Sequence, residues 1–323
     1  MSNKGNKATE DLKIFQITNE STWQIGPKRG FLTPTKLVNS TFSTDTCKNE
    51  IYGAVRDEFG RGIIRKISLD SNLGMNPHDG ICFDRRGSDD FDSDGTILGH
   101  VDFIENITRL FYIGFRQGAS GSKFQAFSGL AESHDSGNTF QLTRQVFHPK
   151  FFPSFLAQDT DIIACHWNKL DTEGNGVALV SIGSGWLKIK GERFPRYSSH
   201  LITARKYEFQ DLIASIPQNE NLYRLGRPRF LALGKRNLAV ATGGKEDGDY
   251  RPYFFEFVGN KFYSYPDFEF PVIPGSNEFC KTQVSYPEIL SFPDTSRTVA
   301  VFNGDNMGIQ GCLAVNWDDF PIE

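Results

Sequence analysis

The chain has 323 residues and a formal net charge of −4, with acidic and basic side chains interspersed and no basic stripe, which argues against a nucleic-acid surface. Its 31 Gly, 15 Pro, 29 Phe and 10 Tyr, against 3 Met, favour many short strands over long helices. No apolar stretch approaches the ~20 residues of a membrane span. The scattered cysteines (Cys47, Cys82, Cys165, Cys280 and Cys312) lack C-x-x-C spacing, so buried free thiols are expected rather than a disulfide framework or a metal site.

Residues 1–11 read as a polar, disordered tail without the apolar run of a secretion signal, and a cytoplasmic location is expected. Residues 12–323 read as a single all-β domain. Leu12–Thr18 alternates as a strand, and residues 23–30 read as loop. A pattern of inner, second and third strand then recurs. The first unit has Lys36–Phe42, Ile51–Asp57 and Gly62–Asp70. The second has Ile97–Ile104, Arg109–Arg116 and Phe124–Glu132. The third has Phe151–Ala157, then Asp161–Trp167, Val177–Trp186 and Ser198–Ala204. The fourth has Tyr223–Leu231, Asn237–Gly243 and Tyr253–Val258, and the fifth Val284–Leu290, Thr298–Gly304 and Gln310–Val315.

The inner strands set at 98, 151, 225 and 284 are small or polar early and apolar late, as suits strands leaving a crowded, wet axis. Proline inside three of them fits an edge without a hydrogen-bond partner. Radial sheets manage their edges this way, so the pattern predicts a five-bladed β-propeller, with Leu12–Thr18 a candidate to close the ring. A β-sandwich followed by a second all-β domain would explain the strands but not their five-fold recurrence. The octet Ser133–Phe140 fits the Asp-box turn S-x-D-x-G-x-T-[WF]. There the Asp135 carboxylate accepts backbone N–H bonds and Gly137 supplies a positive φ, a structural device of propeller blades.

A propeller gathers the starts of its inner strands around one mouth of the axis, so the candidate chemistry is sought there. Asp92 and Asp94 precede the second inner strand and His100 lies on it. Arg85, Arg227, Arg229, Tyr286 and Glu288 fall at comparable places, and Glu192, Arg193 and Arg196 read as part of a loop after Trp186 able to cover the mouth. Two carboxylates across a pocket are the minimum for glycosidic chemistry, one as nucleophile, base or cation stabiliser and the other as proton donor. Asp92 or Asp94 facing Glu288 or Glu192 meets that requirement, and the arginines suit a carboxylate or phosphate. His100, His148 and His166 lack the spacing of a metal cluster, and no metal or other cofactor is expected.

Several stretches together resemble the five-bladed propeller glycoside hydrolase superfamily of arabinanases, invertases and levansucrases, and more closely glycosidase-like proteins encoded with bacterial surface-polysaccharide genes. They are Ile51–Arg61, Phe91–Ile97, Leu110–Phe115, Ser128–Ser133, Leu225–Pro228, Ser285–Pro287, Phe302–Asp305 and Gly311–Ala314. The resemblance implies a funnel-shaped carbohydrate site on the axis, with a principal acid at the start of an inner strand, here Asp92 or Asp94. Phe151-Phe-Pro-Ser154, where such relatives often bring a second acid, has none.

The expected function is cleavage or transfer of a glycosyl unit in surface-polysaccharide biosynthesis. Glycosyl transfer from a nucleotide-sugar donor and non-catalytic glycan binding stand as the alternatives. The expected partners are a carbohydrate or nucleotide sugar, with no nucleic acid and no integral membrane segment.

Overall fold

Short runs of β-branched and aromatic residues, each cut by Gly, Asp, Asn or Pro, cannot sustain a helix and fold as strands that bury alternate side chains. The computed structural model describes residues 28–31, 38–39, 49–56, 61–69, 80–85, 90–117, 123–145, 160–189, 191–218, 222, 224–231, 237–244, 250–265, 282–292, 297–303 and 310–315. The tail, Leu12–Thr18 and Phe151–Ala157 lie outside them. Every regular element among the described residues is a strand.

The strands assemble into five antiparallel blades. In blade 1 the inner strand has two pieces, β1 (Lys28–Phe31) and β2 (Val38–Asn39), both paired with β3 (Asn49–Arg56), which is followed by β4 (Gly62–Leu69) and β5 (Ile81–Phe83). Blade 2 is β6 (Gly95–Ile104), β7 (Ile107–Gln117), β8 (Phe124–Ser133) and β9 (Gln141–Gln145). Blade 3 is β10 (Ile162–Leu170), β11 (Gly176–Ile189), β12 (Glu192–Arg205) and β13 (Glu208–Ser215). Blade 4 is β14 (Arg224–Phe230), β15 (Leu238–Gly244), β16 (Tyr250–Val258) and β17 (Lys261–Ser264). Blade 5 is β18 (Ser285–Phe292), β19 (Arg297–Asn303) and β20 (Gln310–Val315).

The five-fold recurrence therefore holds, with two differences. Blades 1 to 4 each carry a short fourth, outer strand that the three-strand pattern omitted. The inner strand of blade 3 is β10, not Phe151–Ala157. With β10 in place the inner strands of blades 2 to 5 begin at 95, 162, 224 and 285, spacings of 67, 62 and 61. Residues 28–30, expected as loop, belong to β1.

Adjacent blades meet through a repeated hydrogen-bond pattern. The third strand of one blade runs parallel to the start of the next inner strand: Gly62 opposite Gly95, Ala126 opposite Ile162 and Tyr197 opposite Arg224. The Ser128 and Ser199 hydroxyls, both buried, donate to the carbonyls of Ile163 and Leu225 on the next inner strands. From blade 4 to blade 5 the link is Val284 N–H donating to the Tyr250 carbonyl. At Gly62 and Gly95 the backbones approach so closely that an added Cβ on either would lie 2.2 to 2.4 Å from backbone atoms of the other strand, so only glycine fits.

Between the blades lies the apolar core. One cluster spans blades 1 to 3, with Tyr52, Leu98, Phe111, Phe127 and Ile163 fully buried or nearly so, and a second joins blades 3 and 4 through Leu179, Leu225 and Phe255. Burying each such Leu or Phe contributes about 1.5–3 kcal/mol. Cys82 and Cys165 are free thiols within this core, and burial pushes both up to about 12, so neither is a reactive thiolate.

The Asp box closes blade 2 onto blade 1. Asp135 Oδ1 accepts the N–H groups of Asn138 and Thr139, Ser133 Oγ donates to the same oxygen at 2.6 Å, and Gly137 takes φ +78°. Phe140 then packs edge-on against Tyr52, its N–H bonded to the Cys82 carbonyl. A second staple joins blades 2 and 3. Buried Arg109 grips Asp102 with two bonds of 2.9 and 2.7 Å and also donates to the Leu170 and Asp171 carbonyls and to Tyr207 Oη. No described helix is long and apolar enough to cross a membrane.

Candidate active site

The inner strands bring their first residues together at one end of the axis, and a cavity of about 590 Å³ opens there. Gly95 and Ile97 of β6, Ile162 and His166 of β10, Arg227 of β14 and Tyr286 of β18 contribute to its wall. Aromatic side chains, among them Phe115, Phe124, Tyr197 and Tyr250, complete a mostly apolar lining with a few polar groups. Concave, mostly apolar sites with sparse, convergent polar groups suit small-molecule recognition.

Two residues are presented by the same backbone device. Arg227 and Tyr286 each precede a proline and adopt positive φ, +52° and +54°, where their strands lose register. A non-glycine residue in this region costs of order 1–3 kcal/mol and is held only by its surroundings. Here a hydroxyl from the second strand of the preceding blade holds each one. Arg227 N–H donates to Ser181 Oγ at 3.2 Å and Tyr286 N–H to Thr242 Oγ1 at 2.8 Å. The Arg227 guanidinium lies 4.4 Å from the centre of the Tyr286 ring. Burial is the main force lowering the Arg227 pKa from its ordinary value; the Tyr286 hydroxyl opposes it and neighbouring Arg229 adds to it. Burial likewise raises the Tyr286 phenol, with Tyr250 adding to the effect.

His166 sits at a bulge in β10 between Cys165 and Trp167. It is buried in the cavity wall, and its Nδ1 has no hydrogen-bond partner among the described residues. Burial, reinforced by Arg227 and Arg229, holds it well below the ordinary histidine range, so the ring is neutral at neutral pH.

The structure separates the two candidate aspartates. Asp94 is exposed on the cavity wall, just before β6. Asp92 is fully buried and accepts hydrogen bonds from Arg85 Nε at 2.9 Å and Tyr112 Oη at 2.8 Å, a turn anchor placed outside the lining. Burial, then the Asp92 charge, keeps the Tyr112 phenol protonated as that donor. Arg85 is therefore engaged by Asp92.

Of the other expected residues, Arg227 and Tyr286 line the cavity. Arg229 is buried outside the described lining, with Nη2 donating to the Gly99 carbonyl at 3.3 Å. His100 is also buried, near Trp167. Trp186 packs edge-on against cavity-lining Phe124, and its indole N–H donates to Asp161 at 3.2 Å. Glu192 opens β12 beside cavity-lining Arg193, and Glu288 follows Tyr286 by two residues on β18; both side chains fall outside the described ones. Among the described residues no group of three His, Cys, Asp or Glu side chains is placed to hold a metal ion.

Two residues at or beside the site carried no sequence signal that singled them out, Asp161 and Lys123, whereas Arg193, expected in a loop over the mouth, lies on strand β12 and lines the cavity. Asp161 precedes β10 as Asp94 precedes β6, so the third blade does bring an acid to the start of its inner strand. It is half-buried and also accepts Gln125 Nε2 at 3.1 Å. Correct placement of β10 is the signal that finds it.

No family model matches the chain, and no curated protein matches it in sequence. Solved structures do match in shape. An endo-arabinase from Bacteroides thetaiotaomicron superposes over 90% of this chain and 95% of its own, with TM-score 0.58 and 12% identity. A sucrose-6-phosphate hydrolase from Lactobacillus gasseri covers 88% of this chain, which spans 58% of that one, with TM-score 0.56 and 11% identity. A Bombyx mori GH32 beta-fructofuranosidase in complex with sucrose gives TM-score 0.56 and 13% identity over 88% of this chain and 59% of that one. The fold is that of the five-bladed glycoside hydrolase propellers. In this propeller the cavity sits at the axial mouth, and Asp94 is the one carboxylate among its described lining residues.

Proposed function

We propose that the chain is a carbohydrate-active enzyme that cleaves or transfers a glycosyl unit in the axial cavity. The observation that carries this reading is Asp94, an exposed carboxylate at the start of an inner strand, on the wall of an aromatic-rich cavity. A shared fold does not by itself confer an activity, so the reading rests on this site. Asp94 faces the anomeric carbon as base, nucleophile or stabiliser of positive charge. Glycosidic cleavage also needs a proton donor, and Asp161, Glu192 and Glu288 are the carboxylates proposed for that role. The resemblance to glycosidase-like proteins encoded with surface-polysaccharide genes supports a place in bacterial surface-glycan assembly.

Transfer from a nucleotide sugar is the second reading. It is favoured by the three cations of the described lining, Lys123, Arg193 and Arg227, which suit a diphosphate leaving group. Incubation with neutral and acidic oligosaccharides and with nucleotide sugars, followed by product analysis, tests both. Release of a monosaccharide without nucleotide supports hydrolysis, and release of nucleotide with glycan extension supports transfer. Binding without turnover of any of them would reduce the site to a glycan-binding propeller.

A further inference from the structure

The cavity has a charge pattern that a neutral sugar does not require. Its described lining carries three cations, Lys123, Arg193 and Arg227, against one carboxylate, Asp94, in a chain whose formal net charge is −4. A narrow site with one sign of charge on low-dielectric walls concentrates ligands of the other sign. Arg227 is the buried member of the three, and it is held by strained backbone, positive φ before Pro228, pinned by the Ser181 hydroxyl. Strain of this kind persists where it aims a side chain for a purpose. The Tyr286 ring beneath the guanidinium fixes its plane.

His166 supplies the second, independent observation. It lines the same cavity, it is buried, and its Nδ1 lacks a hydrogen-bond partner among the described residues. A buried polar atom left without a partner is costly and uncommon. Burial, reinforced by the two arginines nearby, keeps the ring neutral, so one nitrogen carries a hydrogen, and in the Nδ1–H tautomer that hydrogen needs an acceptor.

We propose that this cavity selects a sugar bearing an anionic group, a carboxylate or a phosphate, and that Arg227 and His166 form the subsite that holds it. The guanidinium, which also interacts with the Tyr286 hydroxyl, turns its remaining N–H donors toward the anion, and neutral His166 in its Nδ1–H tautomer donates one more bond. Lys123 and Arg193 at the rim draw the anion in. The inference rests on the carbohydrate reading above and names the substrate class within it.

Calorimetric titration of the full chain with glucose, glucuronate, glucose 6-phosphate and a neutral oligosaccharide series tests it. Glucuronate or glucose 6-phosphate is expected to bind at least roughly ten-fold more tightly than glucose, the gain of one or two charge-assisted hydrogen bonds. Preference for glucuronate identifies a carboxylate ligand, and preference for glucose 6-phosphate a phosphate. Arg227→Met is expected to abolish the preference, Arg227→Lys to keep part of it, and His166→Leu to weaken it without altering the exposed rim. Should loss of the buried guanidinium's contacts in Arg227→Met prevent folding, the lysine and His166 variants still decide the outcome. Equal binding of glucose and its anionic forms, or an anion preference unchanged in Arg227→Lys and His166→Leu, overturns the inference. Neutral oligosaccharide binding in the same series would leave the carbohydrate reading standing when the anion subsite fails, and binding of no saccharide at all would overturn both.

Discussion

Asp92 and Asp94 are two residues apart, yet the structure gives them opposite roles, and paired substitutions separate them. Asp92→Asn removes a buried charge that accepts hydrogen bonds from Tyr112 Oη and Arg85 Nε. Each hydrogen bond to a charged group contributes about 1.5–3 kcal/mol. The Arg85 side chain is 27% exposed, so water recovers part of its loss, while the buried Tyr112 bond is weakened without that compensation. The expected destabilisation is about 2–4 kcal/mol. For a chain of this size 1 kcal/mol corresponds to roughly 2 °C, so calorimetry should show a Tm lower by about 4–8 °C. Asp94→Asn changes an exposed rim side chain and is expected to stay within about 0.5 kcal/mol of wild type. A stable Asp92→Asn variant, or an Asp94→Asn variant that melts as early, would refute this division of labour.

Other parts of the propeller make comparable predictions. Arg109→Met strands Asp102 and two backbone carbonyls in the interface of blades 2 and 3, and loss of one partner of a buried pair costs about 3–5 kcal/mol, readable as a lower Tm. Gly62→Ala forces a Cβ to within 2.2 Å of the Thr96 carbonyl, and overpacking of this kind costs about 1–3 kcal/mol in chemical denaturation. Acid should destabilise the fold in two windows. Burial holds His200 down at about 4, so its protonation favours the unfolded chain: stability is full above the ordinary 6.5 and is lost as pH falls toward 4, and His200→Gln should flatten that segment. Desolvation raises the Asp135 carboxyl, but bonds from Ser133, Thr139 and Asn138 outweigh it and hold the group down at about 2. Its contribution is therefore present above the ordinary 3.8 and is lost as pH falls through about 2, and Asp135→Asn should remove that loss.

The blades were legible where side-chain pattern and backbone demand coincide. Leu225-Gly-Arg-Pro228 and Val284-Ser-Tyr-Pro287 place a proline on a strand lacking a partner on one side, and both proved to be inner strands whose pre-proline residue turns into the cavity. The Asp box was readable for the same reason, since its turn needs those side chains at those offsets. β10 was misread because Ile162–Leu170 carries no proline, whereas Phe151-Phe-Pro imitates the motif. The outer strands escaped because a short edge strand such as β17 buries a single side chain, Phe262, and shows no alternation to detect. The site was legible as a mouth and not as a set of roles. The turn at residues 91–94 buries Asp92 and exposes Asp94, a difference of backbone path that composition cannot encode. His166 stood as an isolated histidine until the fold buried it and brought Arg227 and Arg229 beside it.

The most direct test of the central claim is turnover of the saccharide and nucleotide-sugar panel by wild type and by Asp94→Asn, with binding followed in parallel. The account predicts product from wild type, and from Asp94→Asn a rate at least roughly 10²-fold lower with binding retained, as expected for removal of a catalytic acid–base group. Equal turnover by the two proteins would contradict it.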